Sequence, residues 1–277
     1  MSKVARKISE GDLTVRAGFE SSDEVGELAA DIDEMAENLE KNIEELNDAV
    51  RRQEDFVGNF AHELKTPLTS IIGYADMLRS RKLSQETVFG AANYIFTEGK
   101  RLEGMSFKLL ELLVTKQQNI TMKKIDAEYF FDEIKGALDP VMEKDGIALS
   151  VEAAEGFLMA DMDLLKSVLF NLADNARKAT YGVSDACVSI KGEVRDEQYR
   201  IFVIDNGSGI PKEEVDKITE AFYMVDKSRA REQGGAGLGL ALCKQIMEVH
   251  EGTMEIKSTE GEGTTFVLTL KGGADHE

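Results

Sequence analysis

Apolar residues recur at every third or fourth position through the first third of the chain, and the faces between them are almost wholly charged. Alternating steps of this size are typical of a coiled-coil seam. The step from Leu39 to Ile43 repeats the preceding step of four residues and is a candidate stutter. The pattern predicts one long helix from about residue 24. Its apolar positions are Leu28, Ile32, Met35, Leu39, Ile43, Leu46, Val50, Val57, Phe60, Leu64, Leu68, Ile71, Ala75 and Leu78.

Local signals predict where the helices of this region begin and end. Gly11 and Asp12 break a short helical start, and Ser22 or Asp23 can cap the long helix. A polar, basic turn at 79–84 precedes a second helix, predicted at about 85–118. Two helices joined by a short turn form an antiparallel hairpin that buries one face, so we expect it to dimerise into a four-helix bundle. The apolar stripe of the second helix is Leu102, Met105, Leu109, Leu112 and Leu113.

Beyond residue 119 the periodicity alternates between that of helices and that of strands. A mixed pattern over roughly 150 residues predicts one α+β domain, an α/β sandwich. The expected fold is therefore multidomain, with an all-α dimeric coiled coil and four-helix bundle before this domain. The predicted helices are 126–144, 162–179 and 238–250, and the predicted strands are 147–151, 188–194, 199–204, 253–258 and 264–270.

Composition narrows the range of functions. The 277 residues carry a formal net charge of −19, which excludes a general nucleic-acid binder because such a protein needs a basic face. The sequence has no apolar run of the ~20 residues that span a bilayer and no signal-peptide core, which indicates a cytoplasmic polypeptide. Cys187 and Cys243 are far apart, so neither a disulfide framework nor a thiolate metal site is predicted.

The first cluster of chemically useful residues lies on the long helix. Phe60 and Leu64 belong to its apolar stripe. At about 100° of rotation per residue, His62 lies about 200° from each of them around the helix, so its side chain projects outward. An exposed imidazole can titrate and act as a nucleophile, and Glu63 can accept a ring N–H and fix the tautomer. Pro67 cannot donate to the carbonyl of Glu63 and should bend the helix there. The alternative is an ordinary surface histidine.

The second cluster lies on the predicted helix 162–179. Asn171, Asn175 and Lys178 follow at intervals of four and three residues and therefore share one face. Amide oxygens suit a hard cation such as Mg²⁺, and a lysine one turn further suits a phosphate. The alternative is an ordinary polar surface. The expected buried stripe of the same helix is Leu165, Leu169, Leu172 and Ala176.

The third cluster follows the predicted strand 199–204. The strand ends in Asp205, and Gly207 and Gly209 allow positive φ and a close approach of ligand in the turn that follows. A carboxylate at a strand end can accept a hydrogen bond from an exocyclic amine such as that of adenine. The alternative is a surface turn.

A glycine-rich segment, 234–246, runs into a predicted helix. Backbone N–H groups bind phosphate at a helix N-terminus in such an arrangement. The segment is not G-x-G-x-x-G, because Leu240 occupies the place of the last glycine counted from Gly235, and the chain contains no G-K-[ST]. Rossmann and P-loop readings are therefore excluded by their own motifs.

Together and in this order, these residues resemble the sensor histidine kinases of two-component signalling, over essentially the whole chain. Upstream, 11–13 and 23–26 look like the connector and second helix of a HAMP domain whose first helix is largely missing. The matching motifs are the H box at 62–67, the N box at 171–180, the G1 box at 205–209, the F box at Phe222, the G2 box at 235–240 and the terminal glycine-threonine element at 261–266.

For the H box, the resemblance implies that His62 attacks the γ-phosphate of ATP to form a phosphoramidate. Glu63 is then its base or orienting partner. Thr66, four residues after His62, resembles the residue that positions water for dephosphorylating a partner response regulator. Such a protein is both kinase and phosphatase.

For the nucleotide site, the resemblance implies ATP and Mg²⁺ as ligands. Asn175 ligates Mg²⁺ with Asn171 assisting, Lys178 contacts phosphate and Asp205 reads the adenine amine. Residues of about 212–236 resemble a mobile ATP lid, which carries Lys227, Arg229 and Arg231. The remaining residues implied in nucleotide binding are Gly207, Gly209, Gly235, Gly237, Leu238, Gly239 and Thr264.

The resemblance also implies the organisation of the chain. A partial HAMP domain and coiled-coil linker would occupy 1–50, the phosphoacceptor hairpin 51–118 and the ATP-binding domain 119–273. The implied partners are a second copy of the chain and a response regulator, without nucleic acid. Membrane contact is expected only through segments outside this chain, which looks like the cytoplasmic portion of a membrane receptor.

Two other classes of protein compete with this interpretation. An ATPase of the gyrase, Hsp90 or MutL kind would carry a catalytic glutamate in the place of Asn171 and would leave the hairpin unexplained. A degenerate kinase that acts as a dimeric scaffold would tolerate loss of the reactive residues, whereas His62, Asn175, Asp205 and the glycine loop are all present.

Overall fold

A computed structural model of the chain contains a helical N-terminal region and a mixed sheet-and-helix domain, as the sequence predicts. The chain divides into two compact units, Met1–His62 and Glu63–Glu277. Among the described residues, no helix is both long and apolar enough to cross a bilayer. The residues that the structure describes are 2–18, 23–115, 120–225 and 236–274.

The first unit consists of a short helix, a connector and the start of the long helix. Helix α1 (Ser2–Ser9) ends where Gly11 and Asp12 were expected to break it, and helix α2 (Glu24–Ser80) follows. The carboxylate of Asp23 accepts a hydrogen bond from the N–H of Gly26 at 3.0 Å, which confirms Asp23 as the cap.

The connector is attached to α2 by polar contacts. The N–H groups of Ala17 and Gly18 donate to the carboxylate of Asp33, and these hydrogen bonds hold the pKa of Asp33 below its usual value. Arg16 forms an ion pair with Glu40 at 2.8 Å. The connector is therefore fixed along helix α2 by side chains of that helix.

The long helix and the hairpin form as the periodicity predicts. Helix α2 spans 57 residues with Pro67 inside it, and helix α3 is Gln85–Thr115. The rings of Tyr74 and Tyr94 contact each other across the hairpin, with their centroids 4.5 Å apart. The predicted end of the second helix, 116–118, lies outside the described residues. In the single chain the following apolar side chains of α2 are exposed: Leu28, Met35, Leu39, Ile43, Leu46, Val50 and Val57.

The described part of the second unit also contains a seven-stranded sheet. Its strand order is β1-β3-β7-β5-β4-β2, with β6 paired to β7. All neighbours are antiparallel except β2 and β4, which are parallel. The strands are β1 (Lys123–Asp126), β2 (Ala148–Glu152), β3 (Phe157–Ala160), β4 (Cys187–Arg195), β5 (Gln198–Asp205), β6 (Thr253–Thr259) and β7 (Gly263–Gly273).

Within the described ranges, three helices pack against the sheet, and the second of them also packs against the other two: α4 (Ala127–Lys144), α5 (Met162–Ala179) and α6 (Gly239–Val249). The predicted stripe of α5 is wholly buried, which confirms the assigned core face. Strands β1 and β3 were not predicted, because each has only four residues and pairs only with strands distant in sequence, β1 with β3 and β3 also with β7. Only Ile125 of β1 is buried, so β1 shows no apolar alternation.

Candidate active site

Helix α5 holds the polar face that the sequence singled out. Asp161 caps the helix by accepting hydrogen bonds from Asp163 and Leu164. Because the leucine stripe packs into the core, the face that carries Asn171, Asn175 and Lys178 is left half-buried. Asn175 and Lys178 line a cavity of about 540 Å³. The structure therefore brings these two predicted ligands to one concave surface.

The last turn of α5 is held in place by an ion-pair cluster around Asp174. Lys178 Nζ lies 2.7 Å from Asp174 Oδ2, and Arg177 lies 2.8 Å from the same carboxylate and 2.7 Å from Asp145. Burial alone would raise the pKa of Asp174, but hydrogen bonds and charge from Lys178 and Arg177 outweigh it and lower the pKa. Arg177, for which the motif suggests no role, joins α5 to the end of α4.

Asp205 ends strand β5 inside the domain. It is buried, and its Oδ1 accepts hydrogen bonds from the N–H of Gly207 at 2.8 Å and of Thr264 at 3.3 Å. Burial raises the pKa of Asp205, and these two hydrogen bonds oppose the rise. Thr264 lies opposite Asp205 in the ladder between β5 and β7, so this pairing joins two of the predicted site residues.

The turn after Asp205 requires glycine at both predicted positions. A Cβ on Gly207 would lie 2.6 Å from the carbonyl carbon of Ala179, at the end of α5. Gly209 has a φ of +64°, and a side chain there would overlap the backbone of Thr259. The turn packs directly on the end of α5, and Gly209 lines the same cavity as Asn175.

The glycine-rich loop delivers a helix N-terminus to the cavity. Gly237 has a φ of +66°, and its carbonyl accepts the N–H of Phe222 at 2.7 Å, which ties the F and G2 segments together. Leu238 is buried at the start of α6, and Gly237, Leu238 and Gly239 all line the cavity. The first N–H groups of a helix bind phosphate well. Gly235 and the predicted lid residues Lys227, Arg229 and Arg231 lie outside the described residues.

One wall of the cavity was not predicted. Helix α3 contributes Met105 and Lys108 to it. Lys108 Nζ donates a hydrogen bond to Asn171 Oδ1 at 2.9 Å. The amide oxygen of a predicted metal ligand is therefore bonded to a lysine. The sequence held one signal for this contact: Lys108 lies between Met105 and Leu112 on the apolar face of α3, where a lysine is unexpected.

The H-box residues lie on α2. His62 is exposed, as its position opposite the apolar stripe predicts. Glu63 is buried, and its carboxylate lies 3.5 Å from Arg101 of α3. Thr66 is half-buried and Pro67 is buried. The roles of Glu63 and Thr66 in the chemistry stay predictions.

The cavity fits an adenine nucleotide in its donor and acceptor groups. Gly209, the N-terminus of α6 and Lys178 line it, whereas the buried Asp205 starts the turn that leads to Gly209 and is not part of the lining. Together they are the groups that phosphates and an adenine amine require. Among the described residues, no three His, Cys, Asp or Glu side chains cluster in a way that could hold a metal. The asparagine oxygens and the phosphates of a nucleotide form an oxygen donor set of the kind that Mg²⁺ accepts.

Comparison with protein families assigns the chain three domains. The histidine kinase-, DNA gyrase B- and HSP90-like ATPase family matches residues 160–273. The His Kinase A (phospho-acceptor) domain matches residues 52–112 and the HAMP domain matches residues 1–41. The phosphoacceptor match accounts for the hairpin, which a gyrase-like ATPase would leave unexplained.

Individual relatives point to the same family. The chain is 32% identical to the sensor histidine kinase YclK of Bacillus subtilis over 268 residues, covering 95% of this chain and 56% of YclK. It is 32% identical to the sensor protein kinase WalK of Staphylococcus haemolyticus over 234 residues, covering 83% of this chain and 38% of WalK. The chain thus spans about half of these relatives or less.

Solved structures share the fold. The histidine kinase ThkA in complex with the response regulator TrrA has a TM-score of 0.63 at 20% identity, covering 82% of this chain and 65% of ThkA. ShkA in complex with AMPPNP has a TM-score of 0.58 at 23% identity, covering 81% of this chain and 47% of ShkA. The helical region, the sheet domain and the cavity define a phosphoacceptor hairpin joined to an ATPase-type domain. The chain belongs to the sensor histidine kinases of two-component systems.

Proposed function

We propose that the chain is a dimeric protein-histidine kinase that phosphorylates itself on His62 with ATP and transfers the phosphoryl group to an aspartate of a response regulator. It also dephosphorylates that regulator. The observation that carries the proposal is the cavity in which Asn175, Lys178 and the N-terminus of α6 meet. The same chain also has an exposed H-box histidine, His62.

The nucleotide is held at both ends by groups of the ATPase domain. Asp205 accepts a hydrogen bond from the exocyclic amine of adenine. This role needs a carboxylate that is fixed and shielded from water, and the hydrogen bonds from Gly207 and Thr264 hold the Asp205 carboxylate in place. The phosphate oxygens accept hydrogen bonds from the first N–H groups of α6 and from Lys178. Asn175, with Asn171 assisting, holds Mg²⁺, which supplies positive charge to the phosphate oxygens.

The chemical step uses His62. A lone pair of the imidazole forms an N–P bond to the γ-phosphorus, the bond from phosphorus to the bridging oxygen breaks, and ADP leaves with that electron pair. Glu63 orients the ring or accepts its proton. The exposure of His62 supports this role, because a phosphoacceptor must reach ATP and then the aspartate of a separate protein.

The partners follow from the same family membership. The match to the phosphoacceptor domain and the exposed apolar seam of α2 support a homodimer, since such a seam is buried by a second helix. A response regulator is the proposed phosphate acceptor, and the ThkA neighbour is bound to a protein of that class. The HAMP match supports a place in the cytoplasmic part of a membrane receptor.

Radiolabelled ATP with Mg²⁺ tests the proposed activity. We expect acid-labile label on the wild-type chain and none on His62→Gln, with His276→Gln as the matched control that retains label. Undiminished labelling of His62→Gln contradicts the assignment. Phosphate release without a labelled chain would indicate a gyrase-like ATPase, and nucleotide binding without either would indicate a degenerate scaffold.

A further inference from the structure

Lys108 is a cation that the phosphoacceptor hairpin brings into the nucleotide cavity. Its Nζ lies 2.9 Å from Asn171 Oδ1, and Asn171 Nδ2 donates to the carbonyl of Ser167 at 2.8 Å. The second bond fixes the amide so that its oxygen faces Lys108. Lys108 therefore reaches the cavity beside the residues proposed to hold phosphate and metal.

The position of Lys108 is set by the turn of α3 that follows it. Ser167 of α5 donates to the carboxylate of Glu111 at 2.6 Å. Gln245 of α6 is buried and donates to the carbonyl of Leu112 at 2.6 Å. These two bonds attach α3 to the helices on either side of the cavity, so Lys108 enters it from a fixed backbone.

Lys108 is half-buried at the wall of the cavity that Lys178 also lines. Burial and the charge of Lys178 lower the pKa of Lys108, while Asp174, Cys243 and Glu111 oppose this. Asp174, the nearest acid of α5, already accepts from Lys178 and Arg177. Lys108 and Lys178 thus face one cavity, where a polyanion placed between them attracts both ammonium groups.

We propose that Lys108 is a further nucleotide-binding residue, which exchanges the Asn171 oxygen for a phosphate oxygen when ATP binds. The inference rests on the proposed nucleotide site and extends it to a residue outside the ATPase domain. The exchange also frees Asn171 Oδ1 for its assisting role toward Mg²⁺. Because Lys108 belongs to the hairpin, nucleotide affinity then depends on how α3 docks, and docking depends equally on nucleotide.

Calorimetric titration of Lys108→Met with ATP, ADP, AMP and adenosine, all with Mg²⁺, tests the inference. We expect the Kd for ATP to rise about tenfold or more, as for loss of a charge-assisted hydrogen bond, while the Kd for adenosine stays within about twofold. Lys166→Met is the matched control, since it removes a lysine of α5 that pairs with Glu133 at 3.1 Å. It should leave all four affinities within about twofold.

Three outcomes overturn the inference alone: an unchanged Kd for ATP, a tighter one, or an equal loss for ATP and adenosine. The second would mean that Lys108 competes with nucleotide, and the third that it only supports the fold. If the wild-type chain bound no adenine nucleotide, the proposed function would fail and the inference with it. Partial recovery of ATP affinity in Lys108→Arg is the result that further supports a charge contact.

Discussion

Arg101 of α3 lies 3.5 Å from the carboxylate of Glu63, and the two side chains are only 12% and 8% exposed. The ion pair joins the two helices of the hairpin directly beside the H-box histidine in sequence. Arg101 also lies 3.5 Å from Glu98, one helical turn earlier. Removal of the arginine therefore takes this cation away from the buried carboxylate of Glu63 and the half-buried carboxylate of Glu98.

We expect Arg101→Ala to destabilise the hairpin by about 3 kcal/mol, the cost of stranding a buried charge. The measurement is urea unfolding followed by circular dichroism. Arg79→Ala is the matched control, because Arg79 pairs with Asp76 on the exposed surface, where such a pair contributes about 0.5 kcal/mol. Equal effects of the two substitutions would show that burial of the Glu63 pair carries no stability.

Thr66→Ala separates the two proposed activities. We expect autophosphorylation to stay within about twofold of wild type, while dephosphorylation of the response regulator falls at least tenfold, because the hydroxyl is proposed only to position water. The matched control is Thr69→Ala, one turn further, whose hydroxyl donates to the Lys65 carbonyl. Equal loss of both activities in Thr66→Ala would refute the division of roles.

The substitution Asp205→Asn is expected to raise stability and to weaken nucleotide binding. Burial raises the pKa of Asp205 above its unfolded value, so the stability that this group contributes is fully present below the unfolded pKa and is lost as pH rises through the folded pKa. Above that range the buried carboxylate is ionised, and its burial costs stability. We expect Asp205→Asn to raise Tm at pH 7 and to lose this advantage in acid.

The same substitution should weaken adenine binding about tenfold or more, because a charged acceptor is replaced by a neutral one. Calorimetry with adenosine measures this loss, and thermal melting from pH 3 to pH 8 measures the stability. An Asp205→Asn protein that melts lower than wild type at pH 7 would contradict the electrostatic argument. Unchanged adenosine affinity would contradict the role of Asp205 in reading the base.

Much of this architecture follows from local sequence, and the exceptions share one cause. Helix α5 has the predicted bounds because Asp161 caps it and its leucine stripe sets its phase. Asp205 and its glycines lie together because one strand and its turn carry them. By contrast, β1 and β3 depend on each other, and the Lys108 wall depends on α3 docking against α5. Such contacts join segments distant in sequence, which no local periodicity encodes.

The exposed seam of α2 gives a test of the dimer. Leu39 and Ile43 are 39% and 47% exposed in the single chain, at the candidate stutter. If they pack against a second copy, replacing both with Asp buries charge in the seam, which a coiled coil does not tolerate. We expect sedimentation equilibrium to show a Kd for dimerisation at least a hundredfold weaker.

Glu37→Ala with Glu44→Ala is the control, since both residues are exposed on faces outside the apolar seam. A double-Asp variant that dimerises like wild type would exclude this seam as the interface and leave dimerisation to the hairpin.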